Sequence, residues 1–316
     1  PPIFGVGVAR SGTTLLSAML SAHSRLDCGP ESRFFARFRH LDQRARARVL
    51  DGVTWPRPAV DFIASLRNQG HPITELFGLE RSQIGRYLAG HEPSPAAMLE
   101  SLTVLHARAA GKPRWIEKTP RHLLMTDTLR RYWPEARIGR IVRDPRDVAL
   151  SLAGMPFAKD SVVGNLVRVD HDDRASRDRI DADPLAMTLR YEDLVTEPER
   201  ELRRVCDFIA EDYEPAMLDS RRTAGVVAAD HEWWKESVAG PLQASSVGRW
   251  HAAMSADARR FAALHLAGYL EEHGYEGALE PEGEVAVLPA ADAVGPSNER
   301  LLLDLARQGQ VVARPA

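Results

Sequence analysis

The feature that most constrains this chain lies at its start. Residues 3–8, Ile-Phe-Gly-Val-Gly-Val, form a short apolar run of β type, and Thr13 to Ala22 carries Leu15, Leu16, Met19 and Leu20 at helical spacing. The turn 9–12 between them contains a glycine, so the order is strand, loop, helix, and Arg25 to Cys28 offers a second short strand. An α/β domain built on a phosphate-binding loop begins this way. Such a turn directs backbone N–H groups and the helix dipole at an anion, which makes Arg10, Ser11, Gly12, Thr13 and Thr14 candidate phosphate-binding residues.

Gly7-Val8-Ala9-Arg10-Ser11-Gly12-Thr13-Thr14 has the glycine spacing of a Walker A loop, but Thr13 stands where that loop requires lysine. The lysine of nucleotide triphosphatases serves the β- and γ-phosphates, and the Ser/Thr after it holds magnesium. A donor with one phosphate bearing one sulfonate needs neither. A surface turn is the bland alternative. A nucleotide-binding kinase or regulatory switch is the functional one, and the missing lysine argues against it because nothing would neutralise a γ-phosphate.

Further along, Trp115-Ile116 reads as a strand, Thr119-Pro120 as the capped start of a helix running to about Tyr132, and Ile138 to Val142 as a stronger strand. Asp144-Pro145 repeats the cap-plus-proline start before the apolar helix Val148 to Leu152. Met187 to Tyr191 reads as a strand, and Pro198 to Ile209 as an amphipathic helix with Leu202, Val205, Phe208 and Ile209 inward. Strands alternating with helices predict an α/β fold, a parallel central sheet flanked by helices on both faces. The polar, Asp- and Arg-rich stretch 155–185 reads as a mobile excursion near the site. A short helix is expected at Asn298 to Leu305 in the Pro-, Gly- and Ala-rich end.

The 41 Lys and Arg against 44 Asp and Glu leave a formal net charge of -3, so no bulk field marks a nucleic-acid or anionic-membrane binder, and any anion site must be local. No apolar stretch approaches the ~18–20 residues of a membrane span, and no leader pattern opens the chain, so a cytoplasmic location is expected. Cys28 and Cys206 are too few for a disulfide scaffold or a cysteine zinc site and read as buried free thiols. His231-Glu232-Trp233-Trp234-Lys235 lacks the second histidine of a zinc helix, and Asp170-His171-Asp172-Asp173 reads as a charged, flexible loop rather than a metal site.

A second anion site is expected in Ile141-Val142-Arg143-Asp144-Pro145-Arg146-Asp147-Val148-Ala149-Leu150-Ser151. Arg143 at the strand end presents a planar fork, and Ser151 lies two helical turns on, offering a donor from the side.

These motifs carry a family resemblance. Arg10 to Leu15 resembles the 5′-phosphosulfate loop of the sulfotransferases, and Ala22-His23-Ser24 with Cys28-Gly29-Pro30-Glu31-Ser32-Arg33 is similar to the tyrosylprotein sulfotransferases. The resemblance covers roughly residues 3–275 and implies a sulfotransferase domain over 1–276, followed by a partly irregular extension, 277–316. It implies 3′-phosphoadenosine-5′-phosphosulfate (PAPS) as sulfuryl donor, the bisphosphate PAP as product, no metal, and a small-molecule or peptide hydroxyl as acceptor; an oligomer is compatible with it. By the same resemblance Arg143 and Ser151 clamp the 3′-phosphate and Tyr191 lies near the adenine. In Ser246-Val247-Gly248-Arg249-Trp250 the chain returns to the donor, where Arg249 touches a phosphate. Lys118, helped by Arg10, meets the bridging oxygen, and Glu31 is the general base, with His23 and His40 as competitors. Arg33 and Arg37, expected on one helical face, would attract acidic groups of the acceptor. Two departures stand out: Ile116 occupies the place of the cysteine that pairs with the match of Cys28 in the animal enzymes, and Gly248 that of their late serine.

Overall fold

Five short strands carry the apolar runs named above: β1 Ile3–Gly7, β2 Leu26–Cys28, β3 Arg114–Lys118, β4 Arg137–Val142 and β5 Ala186–Arg190. The computed structural model describes residues 1–155, 157–158, 161–219, 246–279, 286–287, 296–308 and 312–313. The strands form one parallel sheet in the order β2-β3-β1-β4-β5, with β1 central and registered as Ile3↔Ile116 on one side and Ile3↔Arg137 on the other. The expected fold class is therefore observed.

Alternation along each strand divides the core in two. Ile3, Ile116, Ile141 and Leu189 face the helices α1 (Thr13–Ser21) and, later in the chain, Pro198–Ile209. Phe4, Val6, Ile138 and Val142 face the other layer, which includes α2 (Phe34–Phe38), α3 (Pro95–Ala109), α4 (Thr126–Tyr132) and α5 (Pro145–Leu152). Residues 43–89 form short helices and one small antiparallel hairpin, Arg67–Asn68 with His71–Pro72.

Several boundaries differ from expectation. Thr119-Pro120 opens a 3-10 turn, Pro120–Met125, before α4, and the Thr119 hydroxyl turns to Glu117 instead of capping it. The mobile excursion expected at 155–185 instead contains α6 (Val162–Arg174), capped by Ser161, whose Oγ accepts from the Gly164 N–H at 2.9 Å. Val163, Leu166, Val167 and Val169 are buried in it. Its acidic residues are paired, which corrects the flexible-loop reading of Asp170 to Asp173: Arg174 Nε donates to Asp170 at 2.7 Å, and both Arg140 and Arg177 hold Asp173. Paired charges interrupt the apolar period and so hide the helix. Tyr191 does not end a strand but begins α7 (Tyr191–Thr196), followed by α8 (Pro198–Ile209).

Beyond residue 246 come α9 (Ala256–His265), α10 (Ala267–Glu272) and α11 (Pro296–Arg307). The last of these packs on α9, where Arg260 Nε donates to the Ala306 carbonyl at 2.8 Å. Among the described residues no helix is long and apolar enough to cross a membrane. Cys28 and Cys206 are free and buried, as expected; the His231 to Lys235 run lies outside the described residues.

Candidate active site

Every strand of the sheet delivers a candidate residue at or just past its carboxyl end: the loop 8–12 after β1, Glu31 after β2, Lys118 closing β3, Arg143 after β4 and Tyr191 after β5. Open α/β sheets bind ligands at that edge, because loops diverge there and helix N-termini converge.

Two glycines shape the first loop. A Cβ on Gly7 would stand 2.6 Å from the Ile141 carbonyl oxygen, so β1 and β4 approach at a distance only glycine tolerates. Gly12 caps α1 at φ +102°, and a Cβ there would meet the Tyr191 ring at 2.3 Å. No side chain caps α1 and its first turn holds no acid, so its N–H groups and dipole face the loop. Arg10 takes a left-handed backbone, φ 74°, which costs of order 1–3 kcal/mol and persists only where neighbours hold it.

Those neighbours are the second anion motif. Arg10 Nε donates to Ser151 Oγ at 3.1 Å, and Arg143 Nη1 donates to the Arg10 carbonyl at 3.2 Å. Arg143 also donates through Nη2 to the Ser246 carbonyl at 2.6 Å and lies 4.4 Å over the Tyr191 ring, whose hydroxyl is 2.6 Å from Ser246 Oγ. The five residues form one cluster. Burial first, then the charges of Arg143 and Arg249, hold the Arg10 guanidinium below its ordinary value. Cations crowded in this way favour an anion among them.

The other half of the site centres on β3. Lys118, 1% exposed, donates through Nζ to Glu31 Oε1 at 2.8 Å, and Arg33 Nε lies 3.9 Å from the other carboxylate oxygen. Arg33 does not share a helical face with Arg37: it precedes α2 at φ 50°, while Arg37 lies in the helix and is exposed. Neither competing histidine stands beside Lys118 among the described contacts. His23 accepts the Arg25 N–H on Nδ1 at 3.0 Å and meets the Asp212 carbonyl through Nε2 at 2.8 Å; it lies just past Ala22, the C-cap of α1. Both its nitrogens are thereby committed. His40 is exposed beyond α2.

Sequence reasoning missed the residues that hold these groups in place. Asp147 of α5 accepts the N–H groups of Gly248 and Trp250 at 2.7 and 3.0 Å, which draws the segment 246–250 to the site, while Arg146 covers Trp250. Glu192 accepts the Asp144 N–H at 3.0 Å and the Tyr275 hydroxyl at 2.8 Å, and Tyr269 donates to the Arg143 carbonyl at 3.0 Å. The α/β turn that carries Arg143 is thus tied down by residues 48 to 126 positions later. The only hint in the sequence was Asp147 itself, inside the second motif.

The carboxyl edge of the parallel sheet thus gathers a lysine-free glycine loop, clustered arginines and a carboxylate–ammonium pair. Residues 1–215 match the Sulfotransferase family, and the chain belongs to that family. Protein-tyrosine sulfotransferase 1 of Danio rerio is 24% identical over 295 residues, covering 89% of this chain and 74% of that protein. The protein-tyrosine sulfotransferase of Drosophila melanogaster is 25% identical over 301 residues, covering 89% of this chain and 53% of that protein. Among solved structures, the sulfotransferase domain from the curacin biosynthetic pathway shares the fold at TM-score 0.54 and 18% identity, over 87% of this chain and 99% of that one. The resemblance seen in the sequence is met at the level of the family.

Proposed function

We propose that this chain transfers a sulfuryl group from PAPS to a hydroxyl acceptor, a phenol, an alcohol or a peptide tyrosine. One observation carries the reading: the lysine-free loop, the Arg10–Arg143–Ser151 cluster and the Glu31–Lys118 pair lie together along one sheet edge. The backbone of Ser11 to Thr14 at the start of α1 suits the 5′-phosphate. Arg143 and Ser151 suit the 3′-phosphate, Tyr191 the adenine and Arg249 a phosphate, in keeping with the family pattern.

In the transfer, the acceptor oxygen bonds to sulfur as the bond from sulfur to the 5′-phosphate oxygen breaks. That oxygen keeps the electron pair and departs as part of PAP. Lys118 and Arg10 stabilise the charge that develops on it, and the acceptor proton passes to Glu31. A loose in-line transfer of this kind depends on positioning and fixed charge more than on covalent help, and no step requires a metal. Arg33, beside Glu31, and Arg37 on the exposed face of α2 would meet acidic groups of the acceptor. Protein-tyrosine sulfotransferases among the relatives keep peptide tyrosine within the acceptor range. Two free buried thiols suit a cytoplasmic setting.

Calorimetry with PAP, and separately with ATP plus magnesium, tests the donor assignment. PAP should bind tightly without metal. Tight binding of ATP–magnesium alone would favour the kinase or switch reading. A mass-spectrometric screen of phenols, sugars, steroids and tyrosine peptides then identifies the acceptor.

A further inference from the structure

Beneath the Glu31–Lys118 pair lies a buried polar cluster that the transfer itself does not use. Successive residues of β3 point to opposite faces, so Glu117 turns away from Lys118 toward the layer of α2. There its carboxylate is 2% exposed and fully occupied. Oε1 accepts the hydroxyls of Ser32 and Thr119, each at 2.6 Å, and Oε2 accepts His122 Nδ1 at 2.7 Å. Each hydroxyl passes the connection on: Ser32 Oγ accepts the Phe34 N–H at 3.2 Å, and Thr119 Oγ1 accepts the Arg33 N–H at 3.2 Å. Burial alone would raise the Glu117 carboxyl, but His122 and the three hydrogen bonds outweigh it and hold the group below its ordinary value.

Three consecutive residues after β2 are therefore fastened to three consecutive residues at the end of β3: Glu31 to Lys118, Ser32 to Glu117, and Arg33 to Thr119. The backbone ladder between the two strands ends at Cys28↔Ile116. Beyond it, the described hydrogen bonds between the two segments run through side chains. His122 closes the arrangement, with its ring set edge-on against Phe35 of α2 at 5.6 Å between centroids.

We infer that Glu117, steadied by His122, is a positioning residue that fixes the distance between base and cation by holding Ser32 and Thr119. The inference rests on the reading of Glu31 as base and Lys118 as cation, yet its direct readout needs no turnover. Hydrogen exchange in Glu117→Gln should speed about tenfold at the Arg33 and Phe34 amides, the loss of one charge-assisted hydrogen bond, while β1 and β4 stay protected. Thr119→Ser, which keeps its hydroxyl, should exchange at Arg33 as the parent does, and Thr119→Val should not. Unchanged exchange at both amides in Glu117→Gln overturns the proposal. If Glu117→Gln does not fold, Ser32→Ala carries the same test at Phe34.

Turnover supplies the second arm, with PAPS as donor and 2-naphthol or water as acceptor. Ser32→Ala should lower kcat by about tenfold and leave PAP affinity unchanged, but should have little further effect in the Glu31→Gln background, because both changes act through one group. Losses that multiply in the double variant overturn the positioning role. A Glu31→Gln enzyme as active as the parent would instead overturn the base assignment, and exchange at Arg33 and Phe34 would still decide whether Glu117 holds the loop.

Discussion

Glu31 and Lys118 touch at 2.8 Å, and their different charges give them separable tasks. Glu31→Gln preserves shape and hydrogen-bonding capacity while removing the proton acceptor. Turnover should fall by about 10²–10⁴-fold, the usual contribution of a positioned base, while PAP affinity measured by calorimetry holds. The loss should shrink across a series of phenols of increasing acidity, which need less help in giving up the proton. Near-normal turnover with a poorly acidic alcohol would remove Glu31 from the mechanism. At the other end of the site, Arg143→Ala should weaken PAP binding by about 1.5–3 kcal/mol, the scale of hydrogen bonds to a charged group, and Ser151→Ala should cost less. Equal affinity in the arginine variant would place the 3′-phosphate elsewhere. Both residues were readable as candidates because a strand end followed by Asp-Pro marks a helix start. That they converge on Arg10, Ser151 from 141 positions away, was not readable, because no local pattern encodes it.

At the scale of elements, the glycine loop is the part most exposed to a small change. Gly12→Ala adds one methyl at φ +102° and within 2.3 Å of the Tyr191 ring, so either α1 or α7 must shift. Overpacking of this kind costs about 1–3 kcal/mol, and because the loop is the proposed phosphate site, PAP affinity should fall about ten- to a hundredfold. Calorimetry beside thermal melting checks the prediction: a drop in melting temperature with full PAP affinity would mean that the loop relaxes without disturbing the site. The loop, α1 and the paired Asp-Pro helix start were legible because glycine, proline and apolar spacing are local signals. The α6 segment was not, since three of its nine buried positions are aspartates, and Asp173 and Asp170 find their partners Arg140 and His265 on β4 and α9. Tyr191 was assigned to a strand because a tyrosine after Thr-Leu-Arg fits one, whereas the chain turns into α7 at that residue to pack its ring on Gly12.

Across the whole molecule, the far face of the sheet is held by buried ion pairs. Arg140 is 1% exposed and bonded to Asp173, which also takes Arg177 at 2.5 Å. Burial works to raise the Asp173 carboxyl, but His273, Arg140 and Arg177 outweigh it and hold the group below its ordinary value. A carboxylate depressed in the folded state contributes stability that is fully present above its unfolded pKa, about 3.9, and is lost as pH falls through the folded value. Asp173→Asn should therefore cost about 3–5 kcal/mol at pH 7, because buried Arg140 loses its buried partner and keeps Asp181, half-exposed and 3.7 Å away, and the difference from the parent should narrow below about pH 4. Urea titrations at both pH values check this, and a gap that widens in acid would refute the sign. The sequence by itself determined the parallel α/β class and the glycine loop, since these rest on periodicity, capping residues and glycine spacing within short windows, and the motifs at 10–15 and 22–33 carried the family resemblance. Tertiary structure alone decided which side chains meet: Glu31 with Lys118, Ser32 with Glu117, Arg10 with Ser151, Asp147 with the returning chain at Gly248. The packing of the parallel sheet, its helices and its loops brings such partners together across 85 to 141 residues, and nothing local to either partner carries that arrangement.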